Sequence, residues 1–239
     1  MKKPLSGRKA LVTGGTRGIG LAIAERLRDM GAAVTVTGTR GGGQAPRGCA
    51  YEAVDFSHAE AAEVFAAAMA GRRFDILVNN AGINKIAPFT EIDGADWDLI
   101  QRVNVRAPFV LCRALLPGMI KKRWGRIVNV GSIFGVISRD RRGPYSASKF
   151  ALDGMTASLA AEAAAHGVLA NCVAPGFVDT DLTRRIVGAK GMKELARRVP
   201  AGRLAKPGEI GAFVAWLCGP ENTYISGQNL VIDGGFTRV

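Results

Sequence analysis

The sequence predicts an α/β fold, a doubly wound parallel sheet of about seven strands with helices on both faces. Three observations point there. Strand-like and helix-like segments alternate along the 239 residues. Several strands are unbroken apolar runs, the mark of strands buried on both faces. A glycine-rich turn joins the first strand to the first helix, where such folds hold a phosphate.

The first strand is KALVTG, residues 9–14. Beyond it Ile19, Ala22, Ile23, Leu27 and Met30 recur at helical spacing, and Gly31 stops the helix. AVTVTG, rich in β-branched residues, is the second strand. After a glycine-rich break at 41–43, YEAVD reads as a short third strand. HAEAAEVFAAAM is a helix and FDILVNN the fourth strand. A helix over roughly 94–121, the strand GRIVNVGS, a long helix over about 144–166, the strand GVLANCVAPG, the helix PGEIGAFVAWLC and the strand QNLVID complete the alternation. No composition break marks a linker and no repeat recurs, so one domain over 1–239 is the economical reading.

Composition narrows the function classes. Cys49, Cys112, Cys172 and Cys218 are far apart and the only histidines are His58 and His166, so no metal site is expected. Scattered thiols fit a reducing compartment. The start lacks an apolar run long enough for a signal peptide, and no 18 consecutive residues are apolar, so a cytoplasmic protein without a membrane span is expected. The net charge of +12 either favours anionic partners or simply keeps a solvated surface soluble.

The most unusual residues fall where open parallel sheets bind ligands, beyond the carboxyl ends of the strands. Gly14, Gly18 and Gly20, with Thr16, Arg17 and Ile19 between them, form the turn after the first strand. A pyrophosphate needs such a turn: sharp, free of Cβ atoms, and opening onto helix N–H groups. The second strand runs into Gly38, Thr39 and Arg40, with no acid to receive a ribose 2′-hydroxyl. Arg17 and Arg40 suit a 2′-phosphate instead, which favours NADP(H), with NAD(H) the alternative. Arg40 is otherwise an exposed loop charge. Asp55 either accepts from an adenine amino group or only shapes its turn. Small residues in NNAG, with Asn80, Ala81 and Gly82, let a cofactor lie across the fourth strand end; the amides satisfy either backbone groups or a ribose.

Taken together, TGGTRGIG, NNAG, Asn104, Ser132, YSASK and PGFVDT resemble, in order and spacing, the short-chain dehydrogenases/reductases. KKRWGRIVNVGS and VPAGRLAKPGEI are similar to segments of the 3-oxoacyl-[acyl-carrier-protein] reductases. The resemblance covers essentially the whole chain. It implies a Rossmann-like fold, a nicotinamide cofactor, a small-molecule carbonyl or alcohol substrate and a homotetramer. It implies that Asn104 anchors a water near Lys149, and that Lys149 holds the nicotinamide ribose. Pro175, Gly176, Val178 and Thr180 match the loop under the carboxamide and pyrophosphate.

Tyr145 and Lys149, four apart, share a helix face. An ammonium about 5 Å from a phenolic oxygen, at an effective dielectric near 20, favours the phenolate by roughly 3 kcal/mol. A phenol so placed can pass a proton to a carbonyl oxygen as hydride reaches carbon, with the Ser132 hydroxyl steadying that oxygen. Arg139, Arg141 and Arg142 flank this site and either bind an anionic substrate group or form a solvated loop. Lys121 to Arg123 either meet an acidic carrier protein or end a helix. Residues 181–200 read as a mobile segment over the substrate. A sugar, polyol or other alcohol is the alternative substrate. A basic, non-catalytic nucleic-acid-binding protein on the same scaffold is a distant third reading, and nucleic acid is not expected.

Overall fold

The computed structural model describes residues 3–239, the Ile186 side chain excepted. It contains one seven-stranded sheet in the order β3-β2-β1-β4-β5-β6-β7. The strands are β1 (Lys9–Val12), β2 (Ala33–Gly38), β3 (Ala50–Ala53), β4 (Ile76–Asn79), β5 (Gly125–Val130), β6 (Val168–Pro175) and β7 (Asn229–Ile232), and every pairing is parallel. The chain runs outward from β1 in one direction and from β4 in the other. Their adjacent carboxyl ends therefore form the crevice at which the connections diverge to opposite sides.

Alternation within each strand sends side chains to two cores. Leu11, Leu77 and Ile127 pack with Phe65, Met69, Leu111, Leu115 and Met119 from α2 (Ala59–Ala70) and α4 (Ala107–Lys122). Ala10, Val12, Ile76, Val78, Val128 and Val173 face the other way, onto Ile23 and Leu27 of α1 (Gly18–Asp29) and Ile210, Val214 and Leu217 of α7 (Pro207–Leu217). Both faces are thus apolar, as the continuous hydrophobic runs required.

Two segments differ from expectation. The third strand starts and stops earlier than YEAVD. The helix expected over 94–121 is interrupted: α3 (Gly94–Gln101) passes through a π turn at Arg102–Arg106 into α4. Together residues 94–122 are long and apolar enough to cross a membrane, although the unbroken-run criterion did not find them; half of the apolar window is buried inside the molecule. Residues 181–198 form a helix, α6, broken at Gly188 (φ 65°, ψ 177°). The long helix α5 (Gly143–Ala163) ends in a short 3-10 turn at 164–166.

At the other end of the sheet Lys122 donates to Asp75 Oδ1 (2.8 Å) and to the Arg73 carbonyl (2.8 Å). Asp75, buried, also pairs with Arg8 and accepts from the Lys9 N–H. Arg123 adopts the left-handed conformation that closes α4. The 121–123 cluster is therefore engaged in the fold at two of its three residues.

Candidate active site

The turn after β1 is built to stay open. Gly14 and Gly18 sit at positive φ (63° and 55°), where a Cβ is disfavoured. A Cβ on Gly20 would collide with the Gly14 carbonyl oxygen and with Asn80 Nδ2. Helix α1 begins at Gly18 with no side-chain cap and no acidic residue in its first turn. Its first N–H groups are left for an anion, on which its partial positive charge also acts. Thr180, the N-cap of α6, stands opposite, 3.6 Å from where a Gly18 Cβ would be. A pyrophosphate fits this cradle.

Asn80 realises the first of the two readings of its amide, that it satisfies backbone groups. Nδ2 donates to the Thr13 and Gly14 carbonyls (2.9 and 3.1 Å), so the side chain braces the turn instead of offering its N–H groups to a ribose. Thr13, which the sequence reading passed over as a strand residue, is the junction. Its hydroxyl accepts from the N–H groups of Asn80 (2.9 Å) and Ala81 (3.0 Å), tying β4 to β1. Thr13→Val should orphan both donors at about 1–3 kcal/mol each. A urea midpoint lowered to match that loss is the expected result; an unchanged midpoint would remove Thr13 from this role.

Beyond β2, Thr39 and Arg40 are exposed, as is Arg17 in the glycine turn. Neither arginine makes an ion pair among the described residues. Tyr51, also unnoticed in the sequence, donates its hydroxyl to the Arg40 carbonyl (2.6 Å) and holds this loop in place. Asp55 Oδ1 accepts from the Ser57 N–H (2.9 Å), and that bond holds its carboxyl below the usual range. The turn-forming reading of Asp55 is therefore realised.

Ser132 follows the end of β5, and Tyr145 and Lys149 lie one helical turn apart on α5. Ser132 Oγ accepts from the Phe134 N–H (3.2 Å), so it does cap the turn at 133–135, and its own proton remains free to donate. Lys149 is only 5% exposed. Burying an ammonium costs several kcal/mol unless partners replace water. Here Nζ donates to the Val130 carbonyl (2.8 Å) and lies 5.6 Å from the Tyr145 ring centroid. Two of its three N–H donors are left toward the cleft, where the absent side chain of Gly82 leaves room; a Cβ there would sit 3.7 Å from Nζ.

Asn104 lies in the π turn and is 1% exposed. Its Oδ1 accepts from the Ile83 N–H, and Nδ2 donates to the Ile83 carbonyl and to Ser148 Oγ, all within 3.0 Å. Ser148 in turn donates to the Tyr145 carbonyl (2.7 Å). Both amide protons of Asn104 are engaged, so its side chain holds the 83 and 148 segments together.

Pro175 is the last residue of β6, and Gly176 follows it, packed closely against Asp233. Val178 is buried in the α1/α7 core, so only its main chain can meet a ligand. Phe177 and Asp179 bond to Ala205 on either side of it. Burial pushes the thiols of Cys112, Cys172 and Cys218 up to about 12, which removes them as nucleophiles near neutral pH.

A dinucleotide cradle at the β1/β4 crevice, with a phenol and an ammonium one helical turn apart beside it, defines a nicotinamide-dependent oxidoreductase on a Rossmann-like sheet. The family model described as enoyl-(acyl carrier protein) reductase matches residues 14–237. The 3-oxoacyl-[acyl-carrier-protein] reductase FabG of Vibrio cholerae serotype O1 is 41% identical, covering 98% of this chain and 99% of that protein. A 3-oxoacyl (acyl-carrier-protein) reductase of Agrobacterium tumefaciens C58, solved with NADP bound, superposes with TM-score 0.89 at 32% identity over 98% of this chain and 95% of that one. A gluconate 5-dehydrogenase of Burkholderia cenocepacia J2315, in complex with NADP and tartrate, gives TM-score 0.91 at 32% identity over 100% and 98%. The chain belongs to the short-chain dehydrogenase/reductase family.

Proposed function

We propose that this protein is an NADP(H)-dependent ketoreductase acting on 3-oxoacyl thioesters, on an acyl carrier protein or a smaller carrier. The observation that supports the chemistry is Lys149, buried beside the Tyr145 ring and tied to the Val130 carbonyl at the end of β5, two residues before Ser132. The full-length likeness to 3-oxoacyl reductases supports the substrate.

When bound, the reduced nicotinamide supplies the hydride. Tyr145 gives its hydroxyl proton to the substrate oxygen as charge develops there. Ser132 donates a hydrogen bond to the same oxygen and fixes its position. Lys149 stabilises the phenolate left on Tyr145, and its two free donors hold the ribose hydroxyls. Asn104 acts as a positioning residue through Ile83 and Ser148. Gly14, Thr16, Gly18, Ile19 and Gly20 receive the pyrophosphate, with Thr180 opposite; Ala81, Gly82, Pro175, Gly176 and the main chain of Val178 line the rest of the cofactor's path.

Arg17, Thr39 and Arg40 hold the 2′-phosphate. Arg40→Ala should raise the KM for NADPH about tenfold while the KM for NADH stays within about twofold. Equal effects on the two cofactors would reject that assignment. The NADP held by the related structures supports the same preference.

The likeness to a gluconate 5-dehydrogenase favours a second reading, oxidoreduction of a sugar acid. NADPH oxidation followed at 340 nm with acetoacetyl thioesters and keto sugars decides between them. Turnover confined to the sugars would overturn the first reading and keep the mechanism. We further read the chain as one domain, cytoplasmic, and assembled as a homotetramer. Phe109 on α4 and Phe150 on α5, each 46% exposed, are surface that such an assembly would cover. Sedimentation of a monomer would refute the assembly.

A further inference from the structure

Three residues before Tyr145, Arg142 occupies the N-cap position of α5. Its guanidinium lies over the Phe134 ring, 5.3 Å from the centroid, and Phe134 is two residues beyond Ser132. Phe134 meets Phe177 edge-on at 6.4 Å, so this wall joins the loops that follow β5 and β6. Arg142 is half-buried yet makes no ion pair and no side-chain hydrogen bond among the described residues. A structural arginine at this depth ordinarily satisfies its fork on carbonyls or a carboxylate. Contact with one ring leaves all five N–H donors available.

The surroundings add positive charge. Arg139 has only its exposed neighbour Asp140, at 3.6 Å. Arg141 sits at φ 63°, a conformation side chains rarely adopt, which marks the loop as strained beside the site. Burial pulls Arg142 below the usual guanidinium range, Arg139 adds to that, and the Tyr145 phenol acts on it in the opposite sense. Arg142, the N-cap, and Tyr145, in the first turn, stand at the same end of α5.

We propose that Arg142 determines specificity by receiving a carboxylate carried by the substrate, a few bonds from the carbonyl that meets Ser132 and Tyr145. The inference rests on the ketoreductase reading above and refines its substrate class. The carboxylate comes from one of two sources, a sugar acid or an acyl chain ending in a second carboxyl group.

Two matched pairs test it under NADPH: 5-keto-D-gluconate against D-fructose, and the 3-oxoadipyl against the 3-oxohexanoyl thioester of N-acetylcysteamine. In at least one pair the wild-type kcat/KM should favour the carboxylate by about tenfold or more. Arg142→Gln should reduce that ratio to within about twofold, and Arg142→Lys should retain part of it. The pair that responds identifies the source. A wild-type enzyme without preference in either pair, or a preference that survives Arg142→Gln, overturns the proposal. Calorimetry of glutarate binding to the NADP+ complex separates the two readings. If no ketone is reduced but Arg142→Gln weakens glutarate about tenfold, the ketoreductase reading falls and the anion subsite stands. Equal glutarate affinity in both proteins removes the subsite.

Discussion

Tyr145→Phe should lower kcat by about 10²–10⁴-fold while the Kd for NADPH stays within about twofold. The substitution removes one oxygen and keeps the ring. Lys149 therefore keeps its neighbour 5.6 Å away and its bond to the Val130 carbonyl, so the cofactor pocket is preserved. What disappears is the proton source for the substrate oxygen. Stopped-flow reduction of an acetoacetyl thioester, with NADPH binding read by its fluorescence, measures both quantities. Turnover near the wild-type rate would exclude Tyr145 as the acid and point to another donor.

Gly20→Ala should weaken NADPH binding on the order of 10²-fold while leaving a folded protein with a lowered Tm. The added methyl has nowhere to go: the Gly14 carbonyl lies on one side and Asn80 Nδ2 on the other. Overpacking at such a site costs about 1–3 kcal/mol. The same displacement pulls Asn80 from the Thr13 and Gly14 carbonyls, so the turn loses its brace as well as its shape. Titration of NADPH fluorescence, with circular dichroism as the control for folding, reads the effect. Wild-type affinity in a folded Gly20→Ala protein would mean that the turn does not receive the pyrophosphate.

The sheet was legible because its strands are local apolar runs and its helices local amphipathic repeats. Glycines at 14, 18 and 20 and the Tyr145–Lys149 spacing were legible for the same reason: each pattern lies within one turn or one helix face. The supporting contacts were not. Thr13 reaches Asn80 across 67 residues of chain, and Asn104 reaches Ser148 across 44. A threonine at a strand end and a serine within a helix carry no local mark of such partners. Val178 shows the converse: it falls in the expected motif, but the bridge to Ala205 turns its side chain into the core, which only the fold reveals. The π turn at 102–106 also escaped, because its residues suit an ordinary helix.

Val130, the last residue of β5, fixes Lys149 through its carbonyl, and Ser132 follows two residues later on the same strand end. The end of β5 is therefore a rigid post that carries Ser132 and anchors Lys149 of α5, whereas the arginine-bearing stretch 138–142 and helix α6 are attached around its rim. Appetite for one molecule or another can diverge at that rim by exchange of short segments, with no retuning of proton delivery. Grafting 138–142 from a homologue should accordingly transplant selectivity and leave the catalytic post standing.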